Sequence, residues 1–193
     1  PLLSTSWHQR SPYNDLCPMG NGGRCVAGCV AIATAQVMNY HEWPDRGFGR
    51  HTYWWAGDGP VPGDSLTAVF SDDYDWSVSG VSELCYEVGV AYETSYGHST
   101  SSAGFSRGTT ILPGYFRYDD SITHEHGDDY TSAGWFALIQ GEIDAARPMP
   151  YCYPGHAIAC DGWRVWGSQN QVHLNYGWGG SMNGWYAVDD IYG

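Results

Sequence analysis

The chain has 193 residues, 42% of them hydrophobic and 15% charged. That balance excludes a disordered chain and leaves room for one sizeable core, not two. Lys and Arg total 8 against 21 Asp and Glu, and a net charge of −13 argues against nucleic acid or an anionic membrane as partner, because both repel an acidic surface.

Residues 1–24, rich in Pro, Gly, Ser and Asn, read as extended chain and turns. Next comes the strongest helix signal, residues 29–40. Ala, Gln and Met favour helix there, no Gly or Pro interrupts, and Ala33, Val37 and Tyr40 form an inward face. Gly28 precedes it and Pro44 ends it. Residues 46–62 read as a Gly- and Trp-rich loop, and 66–70 as a short helix. A helix is predicted over 81–90, with Val81, Leu84, Cys85 and Val88 on one face. Residues 109–116 begin as helix and are broken by Pro113-Gly114. A further helix spans 133–145. Residues 149–153, 156–163, 171–176 and 184–188 are then short, aromatic or β-branched, and separated by Gly, Asn and Asp. They read as antiparallel strands. Helices first and strands last make an α+β arrangement in a single domain, 1–193.

No apolar run approaches the roughly 18 residues that span a bilayer. No basic-then-apolar leader opens the chain, and a start at Pro1 suits a processed, exported form, secreted or periplasmic. The 6 Cys lie at 17, 25, 29, 85, 152 and 160. One free nucleophile leaves an odd number, so at least one further thiol stays free or pairs between chains. Cys17 and Cys25 are close enough in sequence to be bridged.

Cys29 is the sharpest chemical feature. At a helix N-terminus, unpaired N–H groups and the positive end of the macrodipole stabilise a thiolate, the reactive form. Such a nucleophile needs a base. His156, opening the apolar run His156-Ala157-Ile158-Ala159-Cys160 beside a turn, is one candidate, and His173, within a strand pattern, is the other. Asn175, on the strand after His156, is placed to orient an imidazole. The Cys29 N–H and the Gln9 side-chain amide are candidate oxyanion donors. The order Gln, Cys, His, Asn is that of papain-like enzymes.

Five ordered blocks extend this pattern. They are Trp7-His8-Gln9-Arg10-Ser11-Pro12-Tyr13-Asn14; Gly28-Cys29-Val30-Ala31 through Ala35-Gln36-Val37-Met38 to Tyr40-His41 and Pro44; Gly89-Val90 with Tyr96-Gly97 and Ser102-Ala103-Gly104; His156-Ala157 with Asp161-Gly162; and His173-Leu174-Asn175-Tyr176-Gly177-Trp178-Gly179-Gly180 with Gly184-Trp185-Tyr186. Together they resemble the streptopain family of secreted bacterial cysteine peptidases. The resemblance implies a papain-like fold in two lobes, one helical and one an antiparallel barrel-like sheet. It selects His156 over His173 as base and supports Gln9 as oxyanion donor. It places Ser102, Gly155, Tyr176 and Trp178 along the substrate cleft. It implies a zymogen whose own prodomain blocks the site before maturation, protein or peptide substrates, and a preference for a bulky apolar residue just before the cleaved position. Three features depart from the family pattern. Ala27 replaces the usual Thr, Tyr176 replaces the usual Trp shielding the His–Asn contact, and Pro154-Gly155 replaces Gly-Gly.

Other readings stay open at this point. A different thiol acyl-transfer enzyme, amidase or transglutaminase-like, shares the Cys/His chemistry, and a binding module could keep the fold without it. His124-Glu125-His126-Gly127-Asp128-Asp129 carries metal-ligand types, or is a solvated acidic loop. Asp72-Asp73-Tyr74-Asp75-Trp76 hints at calcium without the full loop pattern. The 10 Trp and 15 Tyr suit carbohydrate binding, or core and cleft wall. The cysteine-peptidase reading requires no metal or other cofactor.

Overall fold

The structure is a computed structural model. It describes residues 1–153 and 155–191, with the side chains of residues 190 and 191 left aside. A two-residue pair, β1 (Met19–Gly20) with β2 (Gly23–Arg24), leads into α1 (Cys29–His41). An antiparallel hairpin follows, β3 (Arg50–Asp58) with β4 (Val61–Val69), then α2 (Val81–Ala91), α3 (Gly108–Phe116) and α4 (Ser132–Asp144). The chain closes with β5 (Met149–Tyr153), β6 (His156–Trp166), β7 (Gln169–Asn175), β8 (Gly184–Ala187) and the one-turn α5 (Val188–Ile191). The last four strands form one antiparallel sheet in sequence order. The α+β expectation holds, but the barrel-like sheet is an open four-stranded sheet with no closure among the described residues.

Two apolar clusters make two lobes. One joins α1, α2, α3 and the hairpin around Ile32, Phe70, Val88 and Phe116. The other packs Trp135, Phe136 and Ile139 of α4 on Ile158, Val172 and Leu174 of the sheet. Helix α1 is buried from Val30 through Met38 without a break, so it has no solvent face there. The single inward face expected from Ala33, Val37 and Tyr40 understates this, and Tyr40 is only half-buried. A helix apolar all round is a central helix.

The hairpin corrects two expectations. Residues 50–58 are strand, not loop, and 66–69 continue a strand, not a helix. Leu66, Ala68 and Phe70 are buried at every second position, the period of a strand. Gly57 at φ 90° and Gly59 at φ 60° make the tight reversal, and a Cβ on Gly57 would sit 2.1 Å from the Val61 carbonyl oxygen. The third correction is at α3, which continues through Pro113-Gly114. Pro113 removes one helical hydrogen bond, and burial of Ile111, Leu112 and Phe116 holds the helix across it.

One buried carboxyl gives the helical lobe a pH signature. Glu87 of α2 is 5% exposed and accepts a 2.5 Å bond from the Tyr74 hydroxyl. Burial, with Glu83 and Asp72 nearby, pushes its pKa up from 4.5 to about 7, although the Tyr74 bond pulls the other way. A carboxyl whose folded pKa exceeds its unfolded value costs nothing while both states are protonated. It destabilises the fold progressively as pH rises from about 4.5 to 7, by on the order of 3 kcal/mol at completion. Urea titrations at pH 5 and pH 8 should show Glu87→Gln gaining on the parent at the higher pH. An unchanged difference between the two pH values would refute this account.

Candidate active site

The Gly28–Cys29 step positions the sulfur. Gly28 caps α1 at φ 92°, and a Cβ there would meet the Ser101 Cβ at 3.3 Å. Ser101 is buried, donates to the Val26 carbonyl at 2.7 Å and accepts from the Gly97 N–H at 3.0 Å. Nothing in the residue pattern marks this role beyond a run of small residues. Cys29 is then the first residue of the helix, half-exposed, with its N–H in the first turn, where no earlier carbonyl is available.

His156 opens β6 opposite Tyr153 and is hydrogen-bonded to the Cys29 sulfur. Its Nε2 lies 2.9 Å from the Tyr176 carbonyl oxygen. A carbonyl only accepts, so Nε2 carries the proton and Nδ1 is left for the sulfur. Trp178 lies over the imidazole at 4.6 Å between centroids and 31° between planes, and Tyr176 stacks beside it at 6.0 Å. A Trp face at that distance favours the charged imidazolium.

The electrostatics separate Cys29 from every other thiol. Burial alone would raise it, but hydrogen bonds from His156 and from the Ala157 and Val30 N–H groups, with the His156 charge, bring it below the ordinary thiol value. Burial lowers His156, and its bonds to Cys29 and the Tyr176 carbonyl more than offset that, so it rises. A lowered thiol beside a raised imidazole favours a thiolate–imidazolium pair. Burial pushes Cys17 up to about 12, Cys25 to about 11 and Cys160 to about 12, and lifts Cys85 and Cys152 as well. All six are free, Cys17 and Cys25 included. Cys152 pairs with Ala157 and therefore shares its sheet face, beside the reactive sulfur.

The other expected residues fall as follows. Gln9 is brought alongside the chain entering α1, its carbonyl accepting from the Ala27 N–H at 2.9 Å. Ser102 is exposed next to Ser101 and pairs with Ser95. Gly155, at φ 80°, precedes His156 with open space where a Cβ would be, and Pro154 lies outside the described residues. Asn175, expected on the imidazole, is engaged elsewhere. Its Oδ1 accepts from the Gly177 N–H at 3.1 Å and Gln36 Nε2 at 3.4 Å, and its Nδ2 donates to the Thr5 carbonyl at 2.8 Å. The main-chain carbonyl of Tyr176 holds the imidazole instead. His173, the rival base, lies 2.5 Å from the buried carboxylate of Asp161. The His124 and His126 rings lie 4.4 Å apart, tilted by 50°, and among the described residues no group of three or more His, Cys, Asp or Glu is arranged to hold a metal.

Several known proteins are similar to this chain. Streptopain of Streptococcus pyogenes is 31% identical over 216 residues, covering 96% of this chain and 54% of that protein. The thiol protease/hemagglutinin PrtT of Porphyromonas gingivalis is 29% identical, over 95% of this chain and 22% of its own length. The chain thus spans about half the length of the streptopain it matches. Active wild-type interpain A cysteine protease of Prevotella intermedia superposes with a TM-score of 0.83 at 30% identity, over 97% of this chain and 85% of that one. A prointerpain A fragment superposes at 0.87 and 32%, over 99% and 65%. These neighbours carry the papain-like fold expected from the sequence. The Peptidase C10 family profile matches residues 7–186, nearly the whole length, and the chain belongs to that family.

Proposed function

We propose that this chain is the catalytic domain of a secreted bacterial cysteine endopeptidase, made as a zymogen whose prodomain blocks the cleft. One observation carries the reading. Of six thiols, Cys29 alone is lowered, and it is the one bonded to an imidazole that is raised. The Cys29 thiolate attacks a peptide carbonyl carbon, and the carbonyl oxygen takes the negative charge. The Cys29 N–H and the Gln9 side-chain amide receive that oxyanion. His156 gives its proton to the leaving amine as the C–N bond breaks, leaving a thioester. Water, deprotonated by His156, then hydrolyses the thioester and restores the pair. Ser102, Gly155, Tyr176 and Trp178 line the cleft, which favours a bulky apolar residue just before the cleaved position. Among the described residues no helix is long and apolar enough to cross a membrane.

The test is labelling with the thiol-directed inhibitor E-64, followed by peptide mapping and a casein assay with and without an amine acceptor. Stoichiometric modification of Cys29 alone, with loss of casein cleavage, is the expected result. Casein cleavage that persists with Cys29 unlabelled sinks the assignment. Acyl transfer to the amine without cleavage would make this a transglutaminase-like enzyme instead.

A further inference from the structure

Gln36 sits fully buried in the middle of α1, a polar side chain where an apolar one would pack without needing partners. Its side-chain bonds run to Asn175 of β7 and to Thr5 and Trp7 of the N-terminal segment. Its Nε2 faces Asn175 Oδ1 at 3.4 Å, and its Oε1 accepts from Asn175 Nδ2 at 3.2 Å, so two amides from α1 and β7 close on each other. The same Oε1 accepts from the Thr5 hydroxyl at 2.8 Å and the Trp7 N–H at 3.4 Å. Asn175 Nδ2 also donates to the Thr5 carbonyl at 2.8 Å. Helix, sheet and the N-terminal segment of residues 5–7 are thus tied at one buried point.

Two links leave that point for the imidazole. Asn175 Oδ1 accepts from the Gly177 N–H at 3.1 Å, which fixes the turn presenting the Tyr176 carbonyl to His156 Nε2. The Trp7 carbonyl accepts from the Gly179 N–H at 2.8 Å, which fixes the residue after Trp178. Gly177 and Gly179 flank Trp178 at φ 66° and 67°, left-handed conformations that glycine adopts without strain.

We propose that Gln36 and Asn175 are a positioning pair for His156, acting at one remove through the Tyr176 carbonyl and the Trp178 ring, with the Thr5–Trp7 segment as their third member. This rests on the reading of Cys29 and His156 as nucleophile and base. Asn175 then serves catalysis without touching the imidazole, and Gln36, about two turns into the helix behind Cys29, becomes part of the reaction's geometry. The carbonyl holds the Nε2 proton and the ring favours the imidazolium. Loosening both weakens the ion pair that keeps Cys29 a thiolate.

The experiment is the pH dependence of Cys29 alkylation by iodoacetamide, read by peptide mapping, together with kcat and KM on a fluorogenic peptide cleaved by the parent. Gln36→Met is expected to move the acid limb of alkylation up by about one pH unit. It should lower kcat by up to about 100-fold, with KM nearly unchanged, as for a misplaced catalytic group. Thr5→Val, which removes one strap bond from a half-buried site, should move both in the same direction by less, and serves if Gln36→Met does not fold. A profile superimposable on the parent's in a folded variant, with any activity loss following only the folded fraction, overturns the proposal. An unmodified chain whose Cys29 alkylates like an ordinary thiol overturns the underlying reading instead. The two failures are therefore distinct.

Discussion

Cys29→Ala is expected to remove peptidase activity by on the order of 10⁴- to 10⁶-fold while leaving the fold intact. The sulfur is the atom that bonds to substrate, and no neighbouring group can replace it. Cys152 shares the sheet face but is raised, by burial and by the Cys29 charge, so it is a thiol at neutral pH. Stability should change little, because Cys29 is half-exposed at the end of α1 and removing one sulfur leaves no large cavity. His156→Ala should lose activity on a comparable scale for a different reason. The nucleophile stays, but its largest stabilising partner goes, and burial then raises the thiol. The two variants are told apart by alkylation. Cys29→Ala has no reactive thiol at neutral pH, whereas His156→Ala should label at Cys29 slowly, with its acid limb moved toward that of a free thiol near pH 8.5. Full casein cleavage by either purified variant would end the cysteine-peptidase reading.

The contrast between legible and illegible features has a physical basis. Helix α1 was legible because its residues favour helix and carry no breaker, and Cys29 because a Gly–helix junction concentrates unpaired N–H groups. The strands of the second lobe announced themselves through short apolar runs bounded by Gly and Asn. Residues 50–69 did not, because Gly57, Gly59, Pro60, Pro62 and Gly63 resemble a loop until pairing places them at the turn end of a hairpin. The imidazole's orienter was illegible in principle. It is a main-chain carbonyl, and any residue at 176 would supply one. Asn175 has the right side chain for that task and sits one residue away. Only its engagement by Gln36, Thr5 and Gly177 shows it doing something else. Composition reads Gln36 as a good helix former and is silent on its burial.

Asp161→Ala is expected to destabilise the chain by about 3–5 kcal/mol without removing the Cys29–His156 chemistry. Asp161 is fully buried at an irregularity in the β6–β7 register. Its Oδ1 faces His173 Nδ1 at 2.5 Å, its Oδ2 accepts from the Leu3 N–H at 3.0 Å, and its carbonyl accepts from the Leu2 N–H at 2.7 Å. Truncation leaves the His173 ring and the Leu3 N–H without that acceptor, and an unpaired buried donor costs more than the bond it once made contributes. For a domain of this size such a loss lowers the melting temperature by on the order of 10 °C. Asp161→Asn keeps an acceptor for one of the two side-chain bonds and should lose less. Below the transition, both variants should still label at Cys29 and cleave casein, because the strap's other anchors, at Thr5 and Trp7, are untouched. This also decides between the two histidines. A base at His173 would lose its orienting carboxylate, and activity would collapse at temperatures where the fold persists. A drop in melting temperature with activity retained assigns His173 and Asp161 to holding the N-terminal strap against the sheet, and leaves His156 as the base.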